Sequence, residues 1–134
     1  MATTTMTRET HDETVKDGIV LIDFWAAWCG PCRQFGPIFE RSSEKHQDAT
    51  FAKVDTDAEQ ELAAMYGVTS IPTLVVYRDG IPVFSQPGAL PERVLEDVLS
   101  QVRDLDMDQV RALFEQEFPE MGGEQGLSLL SLVQ

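Results

Sequence analysis

Apolar residues fall in short blocks along the chain, spaced at some places as in strands and at others as in helices. Residues 19–26 are almost continuously apolar, which suits a central strand covered on both faces, and Asp23 is their one charged member. Ahead of them, residues 1–6 can form a short first strand, and Thr7 can cap a short helix over residues 8–16 before the Asp17-Gly18 turn. A longer helix is predicted from Cys29 or Pro31 to about His46, kinked at the internal Pro37. Residues 51–55 read as the next strand. Asp55 or Asp57 then caps a helix with Ala58, Leu62, Ala63 and Tyr66 on one face, ended by Gly67. Residues 73–77 and 81–86 pair as a hairpin around Asp79-Gly80, and Pro82, lacking a ladder donor, puts the second strand at a sheet edge. Pro91 can open a last helix whose stripe is Val94, Leu95, Val98, Leu99 and Val102. This order, (β)αβαβ followed by ββα, predicts an α/β fold with a mixed central sheet flanked by helices on both faces.

Composition adds a few bounds. The 134 residues are enough for one domain with a real core, and 43 % hydrophobic with 25 % charged residues are globular values. No apolar run approaches the roughly 18–20 residues that span a bilayer, so no membrane partner is expected. The polar first six residues show neither a basic nor an apolar signal region, which leads to a cytoplasmic expectation. In that setting the two cysteines suit a cycling pair better than a structural bridge. A net charge of −13 argues against nucleic acid as a partner.

Residues 104–134 break from the rest, with seven acids and one base, and are read as an acidic C-terminal extension of a 1–103 domain. Residues 107–118 can form one more amphipathic helix through Val110, Leu113, Phe114 and Phe118, before Pro119 and Gly122-Gly123 interrupt it. Its acidity favours a solvated helix with a frayed end. The other possibility is that the apolar residues 127–133 dock on a hydrophobic surface.

Candidate chemistry lies in Trp28-Cys29-Gly30-Pro31-Cys32, where the central strand gives way to a helix. Free backbone N–H groups and the helix dipole favour an anion there, so the thiolate of Cys29, the nucleophilic form, should be stabilised. Cys32 is one turn further on and within reach of the same sulfur, so the pair can alternate between dithiol and disulfide. Zinc normally wants four ligands, and beyond this pair the chain offers only His11 and His46 as further nitrogen or sulfur donors. Asp23, inside an apolar strand, should be costly to ionise and can take a proton from Cys32; the alternative is that it points to a water-filled edge. For Trp25 packing is expected, for Trp28 surface contact, and for His11 a satisfied, partly buried position.

Taken in order, Asp23-Phe24-Trp25-Ala26-Ala27-Trp28-Cys29-Gly30-Pro31-Cys32, Pro37, Lys53-Val54-Asp55, Ile71-Pro72-Thr73, Asp79-Gly80 and Gly88-Ala89 resemble the thioredoxin family over roughly residues 5–103. The resemblance implies the thioredoxin fold and a protein-disulfide reductase in which Cys29 attacks and Cys32 resolves. It gives Asp23 the proton-accepting role, sets Lys53 beside it, and makes the Ile71–Pro72 bond cis. Trp28, Gly30, Pro31, Ile71, Pro72, Gly88 and Ala89 would line the substrate groove, although Gly88 also reads as a plain turn glycine. Gly30-Pro31 places the chain with reducing rather than oxidising members. The implied partners are oxidised proteins and a thioredoxin reductase supplying electrons from NADPH, with no bound cofactor or metal and a monomeric chain. Two rivals remain: a thioredoxin-fold binding or chaperone-like module whose extension recruits a partner, and a disulfide-forming oxidant.

Overall fold

The computed structural model describes residues 2–117. Five strands form one sheet: β1 (Thr3–Thr5), β2 (Ile19–Trp25), β3 (Thr50–Asp55), β4 (Thr73–Arg78) and β5 (Ile81–Pro87), in the order β1-β3-β2-β4-β5. β1, β2 and β3 run parallel, β4 runs antiparallel to β2 and β5 antiparallel to β4, so the mixed sheet expected from the element order is the one found. β5 lies at the edge, where Pro82 costs no ladder bond to a further strand. The five helices are α1 (Arg8–Val15), α2 (Gly30–Lys45), α3 (Gln60–Met65), α4 (Glu92–Arg103) and α5 (Met107–Glu117).

Side chains alternate across the sheet and build a core on each face. Val20, Ile22, Phe24, Val54 and Val75 pack with Val15 of α1 and Leu62 of α3. Leu21, Phe51, Leu74 and Val76 pack with Phe35 and Phe39 of α2 and with Leu95 and Leu99 of α4. Asp23 is two residues from Leu21 in β2 and so shares the α2 face. Its register partners are Lys53 on β3 and Leu74 on β4. The strand that anchors the core therefore also carries a carboxylate under the helix that bears the cysteines.

Two local expectations change. α3 starts at Gln60 with no side-chain cap, because Asp55 Oδ1 accepts from the N–H groups of Asp57 and Ala58 and so closes the turn before the helix. α5, expected as a solvated helix, instead buries Met107 and Val110 in the same core as α4, with Leu105 and Phe114 packed against it. The junction is held by Arg78, whose Nη1 donates to the carbonyls of Val102, Arg103 and Leu105 at 2.8, 3.1 and 3.1 Å. An arginine at the C-terminal end of a helix offsets the partial negative charge of those carbonyls. The expected docking segment 127–133 lies outside the described residues.

Val110 is fully buried, so Val110→Ala is expected to lower unfolding free energy by about 1–3 kcal/mol in urea titrations. No loss would mean that α5 does not pack as described.

Candidate active site

The turn from β2 into α2 places Cys29 at the N-cap of α2, with extended backbone angles (φ −89°, ψ 116°). Its Sγ accepts the N–H of Cys32 at 3.2 Å, and Pro31 sits in the first turn, where a missing N–H costs nothing. The Cys29 and Cys32 α-carbons are 5.2 Å apart, and the sulfurs are joined as a disulfide. Both residues are buried, at 4 % and 6 % exposure, yet they face different spaces. Cys29 lines an open groove of about 420 Å³ with Trp28, Gly30, Pro31, Thr56, Ala63, Val68, Thr69, Ser70 and Ile71. Cys32 lines a second cavity of about 320 Å³ on the other side of the turn, with Trp25, Arg33, Gly36, Pro37, Glu40 and Lys53 among its walls. The groove thus reaches Cys29, while the second cavity reaches Cys32 beside the charged side chains of Arg33, Glu40 and Lys53.

The groove is apolar and uncharged along its walls, and one feature projects from it. Trp28 is 67 % exposed, the one exposed large hydrophobic side chain among the described residues. Its Nε1–H donates to Asp57 Oδ2 at 3.0 Å, which fixes the indole beside the cysteines. On the opposite wall the Ile71–Pro72 peptide bond is cis. Ile71 O lies 3.6 Å from Cys29 Sγ, so a backbone edge borders the reactive sulfur. Pro72 itself is buried, and its carbonyl accepts the N–H of Gly88 at 2.7 Å. Gly88 holds φ +102°, a conformation that favours glycine. Gly88 and Ala89 are exposed but stand outside the groove walls.

Asp23 is 1 % exposed, and its Oδ1 makes no hydrogen bond to the described residues. Burial pushes its pKa up from 3.8 to about 7, while the charge of Lys53 pulls the other way. The Lys53 ammonium lies over the Trp25 ring, 5.0 Å from its centroid, in a cation–π contact. Trp25 is only partly buried and carries this cation, beyond the packing role expected of it. His11 is 5 % exposed and satisfied as expected, with Nδ1 2.7 Å from Asp12 Oδ1 and Nε2 bonded to Tyr66 Oη. It stands apart from both cavities. Among the described residues no group of three or more His, Cys, Asp or Glu is arranged to hold a metal ion.

Of the residues expected at the site, the structure gathers Trp28, Cys29, Gly30, Pro31 and Ile71 around one groove, and Cys32 and Lys53 around the cavity behind it. Thr56, Ala63, Val68, Thr69, Ser70 and Asp57 complete the groove or its rim and were not foreseen. Residues 68–70 adjoin Ile71-Pro72 and were open to inference; Thr56, Ala63 and Asp57 reach the site only through the packing of the segment after β3.

A redox-active cysteine pair at a helix N-terminus, backed by a buried acid on a mixed sheet, defines a thiol–disulfide exchange centre. The comparisons with known proteins agree. Residues 2–101 match the Thioredoxin family model, and the chain belongs to the thioredoxin family. It is 55 % identical over 118 residues to "Putative thioredoxin 2" of Streptomyces coelicolor, covering 87 % of this chain and 88 % of that one. An alignment of that length reaches past Arg103 wherever it starts. A thioredoxin of Alicyclobacillus acidocaldarius is 42 % identical over 103 residues, 75 % of this chain and 98 % of its own. Among solved structures, a mutant thioredoxin from Halobacterium salinarum superposes with a TM-score of 0.71 at 36 % identity, covering 77 % and 91 % of the two chains. The protein is a thiol–disulfide oxidoreductase that reduces disulfides.

The buried carboxyl has a consequence for stability. Its folded pKa lies above the unfolded one, so between pH 3.8 and about 7 the folded chain keeps a proton that the unfolded chain has lost. Stability from this group falls as pH rises through that window. Asp23→Asn is therefore expected to gain on the wild type from pH 4 to pH 8, by up to roughly 4 kcal/mol, in urea unfolding followed at each pH. A difference independent of pH would contradict the buried, proton-holding Asp23.

Proposed function

We propose that Cys29 is the attacking sulfur, Cys32 the resolving one and Asp23 the acceptor of the Cys32 proton. In the reduced protein the Cys29 thiolate would attack one sulfur of a substrate disulfide, forming a mixed disulfide and releasing the other substrate sulfur as a thiolate. The Cys32 thiol then gives its proton to the Asp23 carboxylate and attacks Cys29 Sγ. The second substrate sulfur leaves, and the Cys29–Cys32 disulfide remains. One observation carries this order: Cys29 borders the open groove, whereas Cys32 borders the cavity that holds Lys53. The N–H of Cys32 aimed at Cys29 Sγ supports the ionised state of Cys29.

Substrate would lie as an extended segment between Trp28 and Ile71, pairing with the Ile71 backbone as an added strand. Pro72, Gly88 and Ala89 would shape and border that edge, and Gly30 and Pro31 the floor beside the sulfur. The substrates are oxidised proteins, since an open, uncharged groove suits varied polypeptide better than one small molecule. Two electrons must return to the pair after each turnover. We assign their source to NADPH through a thioredoxin reductase, and with it a cytoplasmic setting. No helix among the described residues is long and apolar enough to cross a membrane, and Trp28 is their one exposed large hydrophobic, which supports a monomer.

Cys32→Ser is expected to accumulate mixed disulfides with extract proteins through Cys29, whereas Cys29→Ser captures none. Insulin reduction is lost in both. Equal capture by the two variants would reverse or abolish the assignment, and a wild type that binds proteins but does not reduce insulin would favour the scaffold reading. Asp23→Asn is expected to slow release of the mixed disulfide about 10²-fold at pH 7 in stopped-flow traces, the usual scale of lost general-base help.

A further inference from the structure

The cavity behind Cys32 contains a second carboxylate that the exchange steps leave unused. Glu40, half-buried on α2, lines that cavity together with Lys53. Its Oε1 accepts the Thr3 hydroxyl of β1, while its Oε2 is buried and makes no hydrogen bond to the described residues. Glu40 and Gly36 are one turn apart on α2, and helical side chains lean toward the N-terminus, so Glu40 leans over Gly36. Gly36 has no side chain to fill that spot. The space is taken by the Lys53 ammonium, which lies 3.9 Å from where a Cβ on Gly36 would stand. Lys53 thus shares the cavity with Glu40 and is the register partner of Asp23 across β2 and β3, and each of these two acids has a buried oxygen, Asp23 Oδ1 and Glu40 Oε2, with no hydrogen-bond partner among the described residues.

We propose that Glu40 is a positioning residue for the resolving step: its carboxylate attracts the Lys53 ammonium toward the α2 side of the cavity they share, away from the Asp23 carboxylate, and so sets how readily Asp23 takes the Cys32 proton. The proposal rests on the reading of Asp23 as that acceptor. The anchoring of Oε1 by Thr3 keeps the Glu40 carboxylate in place rather than in bulk water. The other charged or titratable groups here are Cys32 and Arg33, on the cavity wall, and Arg41, Glu44 and Lys45, which share the outer side of Glu40. Arg41 and Lys45 are engaged by Glu92 of α4, and Arg33 donates to the Ala27 carbonyl, which leaves Lys53 as the cavity cation without such a partner among the described residues. Thr3 on β1, bonded to Glu40, and Leu74 on β4, the register partner of Asp23, do not titrate.

Glu40→Gln keeps an oxygen for Thr3 and removes the charge. Two effects then act in the same direction on Asp23: a nearby negative charge is gone, and Lys53 is free to approach. In the oxidised full-length protein, with both cysteines silent, the Asp23 carboxyl carbon followed by NMR is expected to titrate about half a pH unit lower or more in Glu40→Gln. In a Lys53→Met background the same substitution is expected to move that midpoint less than half as far. The pH profile of mixed-disulfide release should move down with it, while the thermal midpoint at pH 4 stays unchanged. An unmoved or raised Asp23 midpoint, or an equal shift with and without Lys53, overturns the proposal. A shifted midpoint with an unaltered release profile would instead overturn the reading of Asp23 as proton acceptor, and keeps the two failures apart.

Discussion

Everything in the molecule converges on one junction, where β2 ends and α2 begins. A strand buried on both faces can hold its last residues rigidly, and the helix that follows aims unpaired N–H groups at whatever occupies its N-cap. In this chain the N-cap is Cys29, and Cys32 N–H points at its sulfur. The same strand places Asp23 beneath α2, so that in the proposed mechanism attack and resolution would be supported by opposite sides of a single turn. The two cores on either face of the sheet hold that turn still.

The two sulfurs face different environments, which is the basis for assigning them different roles. The groove side is open and neutral, and it offers substrate an indole fixed by Asp57 and a bare backbone edge at Ile71. The cavity side carries Lys53, Arg33 and Glu40, and Lys53 is the register partner of the buried Asp23. In the proposed exchange, a proton leaving Cys32 would find in Asp23 a carboxyl that burial has raised to about 7. Charge on the cavity side tunes that carboxyl without touching the surface that substrates meet.

Much of this was legible in the order of residues. The apolar run around Asp23 placed a central strand, and the cysteine spacing after it marked the exchange centre, because local pattern dictates both. Pro82 foretold an edge strand for a similar reason. What failed depended on partners distant in sequence. Asp57 looked like a helix cap, but Asp55 closes that turn and Asp57 instead meets an indole 29 residues away. Acidity suggested a solvated α5, yet Met107 and Val110, the latter on the amphipathic face read from the sequence, are buried in the core, and Arg78, far upstream, ties the α4–α5 junction. Glu40 gave no signal at all, since nothing in its neighbourhood along the chain announces that it shares a cavity with Lys53 of β3.

The most direct test of the account is the ionisation of each sulfur in the reduced protein, followed by thiolate absorbance in wild type, Cys29→Ser and Cys32→Ser. Cys29 should ionise well below the value of about 8.5 for an ordinary free thiol, and Cys32 above it. Equal and ordinary values for the two sulfurs, or the reverse order, would contradict the claim that the helix N-terminus holds one of them as the nucleophile.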